Sequence, residues 1–227
     1  MRNQLAAALC APMLAMALPA QAEVVQSGGD GFVTRNVAVV DATPKEVWLA
    51  LISPAKWWNS GHTWSGDAAN MTLTPKAGGC FCERIPEDPD ASRITLEGSA
   101  EHMRVIQAYP EHALRMRGGL GPLQSEPANG VLTITMSETK KGTRIVWEYA
   151  VGGFMRYPVE VIAPAVDGVM SQQLNGLAQL LGRIDEPRAE LAPEIVPEPE
   201  AVPDAEAAAP RELSLEEAID AMANKDN

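Results

Sequence analysis

The sequence predicts an α+β domain in which a curved antiparallel sheet wraps around one long C-terminal helix, with two short helices after the first strand. Three observations predict this architecture. A strand-like run precedes a capped helix start, closely spaced segments with period-two alternation follow, and a segment with helical periodicity closes the domain. Because a sheet that curls over one helix buries the apolar faces of both, we expect this arrangement, which leaves room for a cavity inside.

The first strand and the first short helix are encoded in residues 31–52. The run GFVTRNVAVV, residues 31–40, alternates well enough to predict a strand. Thr43 is a candidate N-cap, Pro44 fits the first helical position, and Glu46 completes a capping box three residues after the cap. The stripe predicted to be buried consists of Val47, Trp48, Leu51 and Ile52.

An aromatic segment follows this helix. A break at Ser53–Pro54 ends the helix and starts a second brief one that carries Trp57 and Trp58. The stretch WWNSGHTWSGD, residues 57–67, is spaced by polar residues and contains glycine. Two interpretations stay open: the loop is a lid that places Trp57, Trp58 or Trp64 against a ligand, or the tryptophans close the bottom of the core.

The other strands and the closing helix follow from residue 69 onward. Closely spaced segments with period-two alternation predict an antiparallel meander over residues 71–75, 78–84, 99–110, 113–117, 130–138 and 142–151. Lys140–Gly142 predicts the last hairpin turn. Residues 159–183 predict the long helix, with Pro164 in its first turn and a buried stripe of Val166, Met170, Leu174, Leu177 and Leu181.

Both ends of the chain are predicted to lie outside the folded domain, which we place at residues 23–185. Residues 1–22 combine one Arg, an apolar core and the small-residue motif ending at Ala22, which predicts a signal peptide and a periplasmic or secreted protein. No other segment is apolar enough to span a membrane. Residues 186–210 predict a disordered acidic linker rich in Pro, Ala and Glu, and residues 211–227 a short amphipathic helix.

The negative charge of the chain is concentrated in its C-terminal segment. Of the net charge of −12, residues 184–227 carry −10, and Glu23–Arg183 carries about −3. The chain therefore has no basic surface for nucleic acid. The terminal segment is either a marginal, exposed helix or a docking motif for a protein partner.

Cys80 and Cys82, which remain after removal of the signal peptide, are expected to be reduced and buried. An exported protein can hold disulfides, but two cysteines at i and i+2 of a strand are poorly placed to form one. The histidines His62, His102 and His112 are scattered, so no metal site is predicted. Nucleotide, phosphate and metalloprotease motifs are absent from the sequence, and no cofactor is predicted.

These features together resemble the START-like superfamily, which includes polyketide cyclase and dehydrase proteins and lipid-transfer START domains. The residues that carry the resemblance are TPKEVWLALISPAKWW (Thr43–Trp58), the Gly78–Gly79 turn into CFCER, Gly142–Thr143 at the start of the last strand, and VDGVMSQQLNGLAQLL in the closing helix. The resemblance covers about Gly31–Gly182. It implies a helix-grip fold with a hydrophobic ligand cavity, and it transfers no catalytic residue, because the superfamily shares none.

An apolar, methionine-rich wall is predicted to face the helix if the sheet alternates regularly. Flexible thioethers suit cavities that accept varied ligands, although plain core packing explains such stripes equally well. The candidate ligand-binding residues are Trp57, Trp58, Trp64, Phe81, Leu114, Met116, Met136, Trp147, Tyr149, Met170 and Leu174.

Three polar residues are candidates for proton transfer: Glu83, His102 and Tyr149. If Phe81 faces inward, Glu83 does too, and it is then either paired with a base such as Arg115 or raised in pKa by desolvation. The alternative is a solvated Glu83 near the cavity mouth. His102 and Tyr149 are likewise either proton-transfer groups or ordinary surface or core residues.

Three functions follow from these expectations. The first is an exported protein that binds a hydrophobic small molecule or lipid in an internal cavity. The second is a polyketide-cyclase- or dehydratase-like enzyme that uses acid and base groups of the cavity. The third is a protein that binds a partner through its acidic C-terminal tail.

Overall fold

The structure of the protein, a computed structural model, describes residues 23–88, 92 and 94–185. The predicted signal peptide (1–22), linker (186–210) and terminal helix (211–227) lie outside the described residues. The strands are β1 (Glu23–Gly28), β2 (Gly31–Val40), β3 (Met71–Leu73), β4 (Cys80–Ile85), β5 (Gly98–Tyr109), β6 (Ala113–Arg117), β7 (Asn129–Thr139), β8 (Gly142–Gly152) and β9 (Arg183–Ile184), and the helices are α1 (Pro44–Leu51) and α2 (Val159–Leu180).

The strands form one antiparallel sheet in the order β1-β2-β8-β7-β6-β5-β4-β3, with β9 paired to β2. This confirms the predicted α+β class, and each of the six predicted meander segments contains a strand. Strand β1 was not predicted, because its residues are mostly exposed and show no apolar alternation. Pairing with β2 holds it in the sheet.

Helix α1 begins as its sequence predicts. The Thr43 hydroxyl accepts a hydrogen bond from the Glu46 amide at 3.3 Å, and the Thr43 amide donates to the Glu46 carboxylate at 2.8 Å, which completes the capping box. The helix buries Val47, Trp48 and Leu51. A short 3₁₀ turn at Pro54–Lys56 follows and leads into Trp57 and Trp58.

Helix α2 lies against β2 and β1 and buries one face against the sheet. Even-numbered residues of β2, which α2 covers, and odd-numbered residues of β8 are buried. The expectation that Pro164 lies in the first turn is wrong, because the helix begins at Val159 and Pro164 is inside it. The amide that Pro164 lacks would have bonded to the carbonyl of Glu160, so the missing bond falls near the helix start, where it disturbs little.

Strand β5 contains a β-bulge at His102. Phe81 pairs with Met103 and Cys82 pairs with Glu101, so His102 is an extra residue without a partner on β4. A bulge reverses the side to which the following residues point. His102 and Met103 are therefore both buried, although they are adjacent in the sequence.

Cys80 and Cys82 form a disulfide, and both are half-buried. The expectation of a reduced, buried pair is wrong. Side chains at i and i+2 of a strand point to the same side, and here the Cα atoms lie 5.4 Å apart, within the range of about 4.4–6.8 Å that disulfides span.

No helix among the described residues is both long enough and apolar enough to cross a lipid bilayer.

Candidate functional site

A small apolar void lies between the sheet and the segment that follows α1. Its volume is about 10 Å³, which is close to the space that one water molecule occupies. The predicted ligand-binding residues that line this void are Trp57, Trp58, Phe81, Leu114, Met116 and Trp147.

The other predicted ligand-binding residues lie elsewhere. Met136, Tyr149, Met170 and Leu174 are buried in the core but do not line the void. The side chain of Trp64 is 57 % exposed and lies on the surface of the loop.

The two tryptophans that follow α1 are part of the core. Trp57 contacts Trp147 with ring centroids 5.7 Å apart, and Trp58 contacts Phe81 at 5.2 Å. Their indole nitrogens donate to the carbonyls of Ala50 and His62, at 2.9 and 3.0 Å. The rings thus close one end of the core and form part of the wall of the void.

Glu83 and His102 form a buried pair. The His102 Nε2 and Glu83 Oε2 atoms lie 2.9 Å apart, and the two residues are 3 % and 1 % exposed. Burial alone would raise the pKa of the Glu83 carboxyl, but the hydrogen bonds that it accepts outweigh burial and hold this pKa below its usual range. The expected partner Arg115 is instead on the exposed face of β6 and bonds to Thr133 at 3.1 Å.

The loop of residues 57–67 is held down by the Glu83 carboxylate. The amide of Trp64 donates to Oε2 at 3.0 Å and the amide of Ser65 donates to Oε1 at 2.5 Å. On the α2 side, Gln173 accepts from the Asn59 amide at 2.9 Å. Both Glu83 oxygens are therefore used to fix the backbone of this loop.

His102 connects the same loop to the 3₁₀ turn at Gly121–Ser125. The indole of Trp64 donates to the Gln124 side-chain carbonyl at 2.8 Å, and the Gln124 amide lies 3.2 Å from His102 Nδ1. With the imidazole proton on Nε2, His102 donates to the Glu83 carboxylate through Nε2 and accepts from the Gln124 amide through Nδ1. Every contact from Trp64 to Glu83 then has one donor and one acceptor. The network fixes the loop, so Glu83 and His102 are positioning residues in this conformation.

Tyr149 does not join this pair. Its hydroxyl donates to the Gly118 carbonyl at 2.9 Å. Burial raises the pKa of Tyr149 far above its usual value, despite a hydrogen bond with the Leu120 backbone that acts in the opposite direction. It is therefore a fixed hydrogen-bond donor in the core. Of the three candidates for proton transfer, the structure brings together Glu83 and His102 only.

A second polar cluster, which the sequence analysis missed, lies under α2. The Asn36 amide donates to the Asp167 carboxylate at 3.1 Å, and burial raises the pKa of Asp167. The β2–β8 register places Asn36 opposite Trp147 and Thr34 opposite Tyr149. Thr34 Oγ1, Asn36 Oδ1 and Trp147 Nε1 are buried and make no hydrogen bond within the described protein. The sequence carries two signals of this cluster: polar residues at inward positions of β2, and an Asp within the apolar stripe of α2.

An open groove of about 610 Å³ lies at the end of the domain where α2 begins. It is lined by residues 27–30, from the β1–β2 connection, and by residues 153–160, from the β8–α2 connection and the first turn of α2. Phe154 and Tyr157 are 70 % and 39 % exposed there, and Met155 and Val159 add apolar surface. None of the predicted ligand-binding residues lies in this groove.

Arg156 anchors the connection that forms one wall of the groove. Its guanidinium donates to Glu126 Oε1 at 2.6 and 2.9 Å, and its amide donates to Oε2 at 2.8 Å. These bonds and the opposite charge of the partner lower the pKa of Glu126 and raise the pKa of Arg156. Since this pairing neutralises Arg156, the carboxylates of Asp30 and Glu160 leave the groove with a negative balance.

A family model described as "Polyketide cyclase / dehydrase and lipid transport" matches residues 32–182. The chain belongs to this family. The resemblance to the START-like superfamily is thereby confirmed, and so is the helix-grip fold that it implied.

Solved structures similar to this polyketide cyclase/dehydrase-family chain include proteins from three organisms. A protein from Rhizobium leguminosarum is 18 % identical with a TM-score of 0.49, and the alignment covers 67 % of this chain and 95 % of that one. Proteins from Mesorhizobium loti and Rhodobacter sphaeroides are 20 % and 21 % identical with TM-scores of 0.44, over 66 % and 71 % of this chain and 96 % and 97 % of theirs. No curated protein matches the sequence significantly. The family assignment rests on the family model.

Proposed function

We propose that this polyketide cyclase/dehydrase-family protein binds an uncharged hydrophobic small molecule or lipid in the groove where α2 begins. The volume of the groove carries the proposal. At about 610 Å³ it falls within the range of about 300–1,000 Å³ that ligand pockets occupy. The exposed rings of Phe154 and Tyr157 give it an aromatic surface that a hydrophobic ligand can contact.

The interior void supports the binding of a ligand less well than the groove. At about 10 Å³ it has no room for a molecule larger than water. Opening it on the side of the 57–67 loop breaks the bonds from Glu83 and Gln173 to the loop backbone. In our proposal the groove therefore takes the place of the predicted internal cavity as the binding site.

The charge of the groove favours an uncharged ligand. Asp30 and Glu160 contribute two carboxylates, whereas the one base, Arg156, is already paired with Glu126. At a separation of about 8 Å in water, each carboxylate repels an anionic head group by about 0.5 kcal/mol. Two of them correspond to about a fivefold preference for a neutral ligand over its anionic counterpart.

A fluorescence titration with N-phenyl-1-naphthylamine, a neutral dye that brightens in apolar surroundings, tests the proposal. We expect saturable binding that weakens at least about tenfold in the Phe154→Ala/Tyr157→Ala variant, since two aromatic contacts are lost. The matched control is Tyr109→Ala, because Tyr109 is 56 % exposed on β5 and is outside the groove. Dodecanol should displace the dye about fivefold more effectively than dodecanoate.

Two results would overturn this assignment. One is a complete lack of saturable binding by the wild-type protein. The other is binding that the groove variant leaves unchanged but Leu114→Ala strengthens, because removing the Leu114 side chain enlarges the interior void. That second result would place the ligand in the interior.

One observation favours the enzyme alternative, a cyclase- or dehydratase-like activity: a carboxylate and an imidazole in contact at 2.9 Å. Such a pair can move protons if the 57–67 loop lifts to admit a substrate. Elimination of water from a β-hydroxyketone, followed by the absorbance of the enone product, tests it. Turnover that Glu83→Gln abolishes while dye binding persists would support the enzyme, and no turnover by the wild-type protein counts against it.

We also propose that residues 1–22 direct export and that cleavage follows Ala22. Strand β1 begins at Glu23, so cleavage there would leave every described residue in place. Mass spectrometry of the protein from a periplasmic extract should give a chain that begins at Glu23. A chain that still begins at Met1 contradicts export.

For the acidic tail we propose partner binding through residues 211–227, on the basis of its capping-box sequence and one apolar face. A defined partner captured by the full chain should be lost when residues 186–227 are deleted. Capture that the deletion leaves unchanged contradicts this proposal.

A further inference from the structure

The Cys80–Cys82 disulfide lies on the outer face of β4. Phe81 and Glu83 are buried on the inner face, so the two cysteines point away from the core and are half-buried. The same strand thus carries a sulfur pair on one face and, on the other, a wall of the interior void and the carboxylate that anchors the 57–67 loop.

The bridge has little value as a structural crosslink. A disulfide stabilises a protein by an amount that grows with the length of the loop it closes, and this one joins residues only two apart. Its effect is on the folded strand itself. Two residues of an extended antiparallel strand advance about 6.8 Å, whereas the Cα atoms of Cys80 and Cys82 are 5.4 Å apart.

The shortened stretch of β4 lies at the point where its side chains hold the loop. Phe81, between the two cysteines, packs its ring on Trp58 at 5.2 Å and on His102 at 5.5 Å. Glu83 is the next residue after the bridge. The neighbouring strand has its bulge at His102, directly opposite. Opening the disulfide lets β4 extend, which shifts Phe81 and Glu83 relative to the loop.

An ion pair lies beside the sulfurs on the outer face of the sheet. Cys80 pairs across the sheet with Arg104, and Cys82 pairs with Glu101. The guanidinium of Arg104 bonds to the Glu101 carboxylate at 2.5 Å, and this carboxylate is 4.0 Å from the Cys80 sulfur. Since Arg104 and Glu101 neutralise each other, this pair places no net charge beside the sulfurs, and the redox behaviour of the cysteines rests on their placement on β4.

We propose that Cys80 and Cys82 form a reversible thiol–disulfide redox site that controls how firmly the 57–67 loop is held. The thiolate of a small thiol such as glutathione attacks one sulfur, breaks the S–S bond and forms a mixed disulfide. A second small thiol then releases the dithiol and leaves as the oxidised small disulfide, so that two electrons and two protons pass to the pair. The reduced form holds the loop less firmly.

Redox titration with glutathione tests the first part of the proposal. The full chain is equilibrated at graded ratios of reduced to oxidised glutathione, quenched with acid, alkylated with N-ethylmaleimide and cleaved with trypsin. Cleavage after Lys76 and Arg84 yields the peptide 77–84, which contains both cysteines but not Cys10. We expect this peptide to change from no alkyl group to two in a single step. A peptide that stays unalkylated in excess reduced glutathione, or dialkylated in excess oxidised glutathione, overturns the proposal.

Hydrogen exchange tests the link to the loop. Reduction should raise the exchange of the Trp64 and Ser65 amides by about tenfold, the change that the loss of one net hydrogen bond produces. Strand β7 serves as the internal control. A Cys80→Ser/Cys82→Ser variant should match the reduced protein and should not respond to reductant. Equal exchange in the oxidised, reduced and variant proteins overturns the control of the loop, even if the redox couple itself is found.

Discussion

The substitution Glu83→Gln tests the role of the buried carboxylate most sharply. In the native protein the carboxylate accepts three hydrogen bonds, from the amides of Trp64 and Ser65 and from His102. A glutamine places an NH₂ group where one of these donors points, so at least one bond is lost and the other two become neutral. The rest of the fold keeps its shape, because glutamine and glutamate have nearly the same volume.

The magnitude follows from these bonds. Losing one bond to a charged group costs about 2 kcal/mol, and weakening each of the other two costs about 1 kcal/mol. Burying the neutral glutamine costs less free energy than burying the carboxylate, and this difference offsets part of the loss. We therefore expect the free energy of unfolding to fall by about 2–4 kcal/mol.

Urea unfolding followed by tryptophan fluorescence at pH 7 measures the loss. The control is Glu97→Gln, which breaks an exposed ion pair with Arg84 at 2.9 Å and should cost at most about 1 kcal/mol. An unfolding free energy for Glu83→Gln that equals the wild-type value, with an unchanged denaturant slope, would refute the assigned role of Glu83.

The same variant has a defined pH dependence. Because folding lowers the pKa of Glu83, its carboxylate stabilises the protein fully above its unfolded value near 4.5 and loses this effect as the pH falls through the folded pKa. The difference between wild type and Glu83→Gln should therefore shrink in acid. A difference that is constant with pH contradicts an ionised Glu83.

Three further substitutions, one of them with a matched control, are predicted to change stability in defined directions. Thr43→Ala removes the capping hydroxyl and should lower the unfolding free energy by about 1 kcal/mol in urea titrations. Asp167→Asn should raise the melting temperature at pH 7, because folding raises the pKa of Asp167 and its charge therefore destabilises the fold. This rise in melting temperature should vanish below the unfolded pKa of 3.8. A lower melting temperature of the variant at pH 7 contradicts the expectation. Gly176→Ala places a Cβ 2.4 Å from the Trp57 carbonyl oxygen and should cost about 1–3 kcal/mol, whereas Gly168→Ala, with nothing within 4 Å, should be neutral or stabilising.

The architecture could be predicted because local signals agree with the final fold. The capping box at Thr43 and Glu46, the alternating strands and the helical spacing of Met170 and Leu174 each act over a few residues, so the sequence shows them directly. Strand β1 carries no such signal, since it is exposed and depends on its neighbour β2.

The site was only partly predictable because it depends on contacts between distant segments. Alternation from Phe81 predicts that Glu83 faces inward, as it does. The bulge that directs His102 toward Glu83 depends on the register between β4 and β5, which no local pattern reveals. The same bulge lies opposite the cysteine pair that was expected to be reduced.

The polar cluster and the groove also arise from tertiary structure. Asn36 and Asp167 are 131 residues apart and meet only because α2 lies across β2. The groove joins the β1–β2 turn to the β8–α2 connection, two segments whose shape follows from chain connectivity more than from composition. The apolar pattern of the sequence predicts a cavity in the interior, where the structure has a void of about 10 Å³.

The most direct test of the proposed binding site is an NMR titration of the ¹⁵N-labelled protein with dodecanol. We expect chemical-shift changes concentrated in the amides of residues 27–30 and 154–157, which line the groove. Changes concentrated instead at Trp58, Phe81 and Trp147, with the groove amides unmoved, would show that the ligand enters the interior and would contradict the account.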